Sequence, residues 1–143
     1  MSGLADIRAG IAANLATLQG APDNVQISAY MLANPTPPTL QVMGPDEIDY
    51  DQAMSRGMDE WRIIVQGFVG AATDEGSQVN LDEWLAPFGA LSVKAAIESD
   101  RTLGGAVMDS YVESASGYKL YTLDSQFQVL GAEWIVRLLK AGK

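Results

Sequence analysis

Asp46, Glu47, Asp49 and Asp51 fall within six consecutive positions of the stretch GPDEIDYD. Carboxylates this crowded can bind a hard cation, supply an acid–base pair, or hold an anionic polymer away from a surface. A calcium loop needs oxygen ligands at alternating positions, a glycine at the sharp turn and a distal bidentate glutamate. Asp49 and Asp51 alternate, but Gln52 to Ser55 supply neither the glycine nor the next acid. A glycosidase-like pair could be drawn from Asp46, Glu47, Asp49, Asp59 or Glu60, yet such chemistry needs a set separation and one raised pKa, and spacing alone supplies neither. Unpaired acid runs are commonly solvated faces. No catalytic, cofactor-binding or metal residue is therefore assigned.

The remaining inventory narrows the chemistry further. The chain of 143 residues has no cysteine and no histidine. That removes disulfides, thiolate nucleophiles, cysteine-ligated metals, the Ser/His/Asp triad and the HExxH zinc motif. Gly67, Gly70, Gly104 and Gly105 fit neither GxxxxGK[ST] nor GxGxxG. Trp61, Trp84 and Trp134 sit in apolar patterns and read as core, whereas Tyr30, Tyr111, Tyr118 and Tyr121 are candidates for subunit contacts. Eighteen acids against nine bases give a net charge of −9, and the bases are scattered. Duplex binding rests on clustered Lys and Arg, so a dedicated DNA binder is not expected, although an acidic surface can repel a duplex that must pass freely. Asp6 and Arg8 interrupt the apolar N-terminal pattern, so no signal peptide is read there, and no run reaches the length of a membrane span.

These residues must be positioned by a modest set of elements. Leu4, Ile7, Ile11, Leu15 and Leu18 recur at helical spacing behind the capping candidate Ser2, and Gly20 with Pro22 ends that helix. Val25, Ile27 and Ala29 alternate as in a strand. Three prolines between Asn34 and Pro38 predict an extended loop, followed by a short strand near Thr39 to Met43 and an acidic, turn-prone segment from Gly44 to Gly57. MDEWRIIVQGFVGA is apolar on both faces and predicts a central strand covered on both sides. Helices are predicted from about Asp74 to Ala86 and from Ser92 through SVKAAIES. Strands follow at Val107 to Val112, Tyr118 to Leu123 and Phe127 to Leu138, with turns at Ser116-Gly117 and Asp124-Ser125. The expected fold is α+β in a single domain spanning 1–143: an antiparallel β-sheet with an N-terminal helix and one or two central helices packed on one face.

Several stretches together resemble a known family. They are the N-P-x-P-P loop at Asn34 to Pro38, the GP-x-x-IDYD segment, the R-G-M-D-E-W-R run from Arg56, the VKAAIESD-x-TLGGAV block and the late LGAEW from Leu130. In this order they are similar to tail terminator proteins of siphophages that infect actinobacteria, over most of the chain. The resemblance implies a non-enzymatic virion protein at the tail–neck junction, made in the host cytoplasm. It implies a homo-oligomer, a six-fold ring that caps the tail tube, stops its polymerisation and offers the head connector a surface, with genomic DNA passing through unbound. Tail tube protein and head connector are the implied partners, with no membrane and no cofactor. Asp46, Glu47, Asp49, Asp51, Arg56 and Asp59, with Asn34, Pro35, Pro37 and Pro38, are then candidates for the assembly or lumen surface. The alternatives are another neck component, such as a head completion or stopper protein, and a carboxylate-based metal-binding or hydrolytic domain.

Overall fold

In an extended chain, residues two apart share a face. Leu40 with Val42, Ile63 with Val65, and the run Leu130, Ala132, Trp134, Val136 and Leu138 are spaced in this way, and all are buried in one core. The computed structural model describes residues 4–18, 25–31, 38–49, 58–71, 75–89, 91–123 and 127–141. Its elements are α1 (Leu4–Leu15), β1 (Gln26–Ser28), β2 (Thr39–Asp49), β3 (Met58–Ala71), α2 (Glu75–Trp84), α3 (Val93–Ile97), a 3₁₀ turn at Leu103–Gly105, β4 (Asp109–Leu123) and β5 (Phe127–Ala141). The five strands form one sheet in the order β1-β2-β3-β5-β4, and the helices pack on one face of it, which makes the fold α+β. No helix among the described residues is long and apolar enough to cross a membrane.

The helical layer is fixed by a few close approaches. Ile7, Ile11 and Leu15 of α1 are fully buried, and Asn14 beside them donates both amide hydrogens, to Ile97 O at 2.8 Å and Asp100 O at 2.9 Å, closing the C-terminal end of α3. Ser92 caps α3 by accepting from Ala95 N at 3.1 Å, as its position predicts. Leu103 is buried at a left-handed φ of 52°, and a Cβ on Gly10 would lie 2.7 Å from its own Cβ. Glycine on α1 is thus what lets the 3₁₀ turn seat its leucine against the helix.

The sheet departs from the sequence reading in four places. β1 runs parallel to β2, so the sheet is mixed rather than antiparallel throughout. β2 does not stop at Met43 but continues to Asp49 as the partner of β3, so Gly44 to Asp49 is strand. Pro45 is tolerated because β1 pairs only with Thr39 to Gln41, which leaves β2 an edge beyond that point, and bulges flank the proline. Ser116-Gly117 is not a turn: β4 is one strand of 15 residues with irregularities at Val112/Ser114 and Ser116/Lys119, and Gly117 takes φ 71° within the second. Finally, helices cover only one face of β3 among the described residues, so Ile64, expected under a second layer, is half-buried on the open face. Ser2, Gly20, Pro22 and the turn at Asp124-Ser125 lie outside the described residues.

Candidate functional site

The described part of the acidic stretch, Asp46 to Asp49, closes the β2 side of its pairing with β3. Asp46 and Glu47 are exposed on β2, and Asp49 stands opposite Glu60 of β3. Asp59, grouped from sequence with the surface acids, is instead buried at 8% exposure and already has an interaction within the chain. Pro38 is half-buried and its carbonyl accepts Gln26 N at 2.9 Å, so at that residue the Pro-rich stretch serves the β1–β2 junction. Asp51, Arg56, Asn34, Pro35 and Pro37 lie outside the described residues. No group of three acids that could hold a metal ion occurs among the described residues.

What the fold brings together is an ion-pair ladder across the open face. Arg62 of β3 and Arg137 of β5 are register partners, and Glu47 of β2 is the register partner of Arg62 on the other side. Arg62 reaches Glu47 at 3.4 Å and Glu113 at 3.5 Å. Arg137 reaches Glu113 at 3.0 Å and also pairs with Glu60, whose hydrogen bond raises the guanidinium pKa further above its ordinary range. Glu113 therefore bridges both arginines with its two oxygens. It gets there through the β4 bulge: Val112 pairs with Val136 and Ser114 with Ile135, so Glu113 is the extra residue and joins Ser114 on the open face.

A row of amides lies four residues further along β3 and β5 on the same face. Gln41 donates to Gln66 at 3.0 Å, and Gln66 donates to Glu133 at 3.1 Å. Between the ladder and this row sit Ile64 and Ile135, paired across β3 and β5. Beyond it, Tyr121 stacks edge-on against Phe68 with ring centroids 5.3 Å apart, over Gly131, where a Cβ would lie 2.8 Å from the Phe68 ring. Among the described residues the face thus presents four carboxylates and two arginines, each arginine engaged by two of the carboxylates.

Sequence reasoning singled out Glu47 and missed Arg62, Glu113 and Arg137 as its ladder companions. The alternation of Glu133 and Arg137 away from the core was the available signal, because it marks a polar face on β5. No family model matches the chain, and no curated protein matches it.

Proposed function

We propose that this chain is a virion structural protein that forms a ring on the end of a phage tail tube, halts the tube's growth and joins it to the head connector while DNA passes through. The observation that carries the reading is the ladder on the open sheet face. A phosphate approaching Arg62 or Arg137 meets a guanidinium already held by carboxylates, on a face with more acids than bases. Such a surface faces a duplex without gripping it. The family resemblance of the sequence supplies the ring and its place on the tail.

Electron microscopy of particles from an infection depleted of this protein tests the reading. Overlong or ragged headless tails are the expected outcome. Tails of normal length beside filled, unjoined heads would move the protein to another position in the neck, and normal virions would overturn the phage assignment.

A further inference from the structure

We infer that the lower half of β4 is a self-pairing edge, which joins two copies of this chain antiparallel about a two-fold axis at Leu120. β4 is the last strand of the sheet, so its outer row of backbone groups has no neighbouring strand among the described residues. Folded proteins normally blunt such edges. Here the upper half is blunted twice: Arg101 Nε donates to Ser110 O at 3.1 Å, and Glu98 accepts Val112 N at 2.9 Å. The bulges at Glu113 and around Gly117 then break the run. Lys119 to Leu123 is the longest run that pairs with β5 in unbroken register, and no such side-chain cover is bonded to its backbone among the described residues.

In and just before that open run the edge is apolar. Tyr118 and Leu120, on the helix side, are exposed at 47% and 48%, and Val79 of α2 at 49%. Tyr118 is steadied by its hydroxyl on Asp82 Oδ1, three residues along α2 from Val79, at 3.1 Å. The occupant follows from the sequence of the run, because YKLYT is self-complementary about its leucine. Antiparallel pairing centred there sets Leu120 against Leu120 of the second copy, Tyr118 against Thr122, and Lys119 against Tyr121 twice. Within one chain Lys119 already lies 5.3 Å from the Tyr121 ring centroid, so the same cation–π chemistry extends across the junction. Shifting the centre to Tyr121 would oppose Lys119 to Leu123 and lose that match. The bulge beside Gly117 prevents the pairing from sliding the other way.

This contact is isologous and closes at two, whereas a ring needs unlike surfaces, so it is independent of the ring reading. It gives the free chain a covered edge before assembly.

The test exploits the absence of cysteine from the chain. Leu120→Cys places the only thiol on the proposed axis, and Met108→Cys, at a residue 60% exposed just before β4, is the control. Oxidation is expected to link Leu120→Cys into a reducible dimer and to leave Met108→Cys unlinked. Light scattering of the unmodified chain is expected to give twice its 15.3 kDa mass, and Leu120→Asp, which opposes two carboxylates, to weaken the dimer about ten-fold or more with an unchanged circular dichroism spectrum. A monomeric unmodified chain, equal linking of both cysteine variants, or an oligomer in which Leu120→Cys stays unlinked would overturn the pairing.

Discussion

Trp84 of α2 and Trp134 of β5 meet over the centre of the sheet with ring centroids 6.4 Å apart, and Gly67 is the floor beneath them. A Cβ there would lie 3.0 Å from each indole and 2.9 Å from Leu40 Cδ2. The leucine tip can turn aside, but two buried indoles cannot retreat together from a packed core. Gly67→Ala should therefore destabilise by roughly 1–3 kcal/mol, as overpacking does. This runs against the usual preference for replacing glycine inside a strand. Thermal unfolding checks it: a fall of several degrees is expected, and an unchanged or raised midpoint would mean that the indoles have room. Sequence identified both tryptophans as core, because each sits in an apolar pattern. The packing over Gly67 was not legible, since nothing local reveals that the residues opposite a glycine are two indoles brought there from α2 and β5.

At the level of elements, α3 and β4 are tied by Glu98, which pairs with Lys94 at 2.7 Å and accepts the Val112 amide. Burial alone raises its pKa, but the Lys94 hydrogen bond, the Val112 N–H and the charges of Lys94 and Arg101 outweigh that and hold it below its ordinary 4.5. A carboxyl with a lowered folded pKa stabilises fully above its unfolded value, and that contribution is lost as pH falls through the folded one. Glu98→Gln retains an oxygen for Val112 and removes only the charge. The stability gap between the two proteins, measured by urea unfolding, should be widest near neutrality and close as pH falls below 4.5. A gap that stays constant down to about pH 3 would show that charge is not what holds the tie. Strand β3 was legible from its run of apolar residues, β5 from alternation, and α1, α2 and α3 from periodicity and the Ser92 cap. The continuity of β4 was not, because Ser116-Gly117 has the composition of a turn and only pairing with β5 makes it a bulge. The parallel β1 escaped for the same reason: direction within a sheet is a property of the partner strand.

For the whole molecule, the balance of −9 matters less than where the positive charges are tied. Among the described residues Arg62 and Arg137 face outward from the centre of the open sheet face, and three glutamates from three strands, Glu47, Glu60 and Glu113, neutralise them. The acid run was visible in the sequence; its partners were not, because Glu113 lies far along the chain and reaches the arginines only through a bulge. The pairs are half-exposed at the sheet surface, with Glu60 the most covered, and surface pairs contribute little to stability, on the order of 0–1 kcal/mol each, so their removal should leave the fold intact. Its consequence should be electrostatic. The combined change Glu47→Gln, Glu60→Gln and Glu113→Gln frees both guanidinium groups for phosphate. The unmodified chain is expected to leave duplex DNA unbound at physiological salt, whereas the triple variant should retain it weakly. The logarithm of its binding constant should fall with the logarithm of salt concentration at a slope of up to about −1.8, the value for two phosphate contacts. Equal retention by both proteins would mean that the ladder does not screen its arginines, and the reading of this face as a surface that lets DNA pass would fall with it.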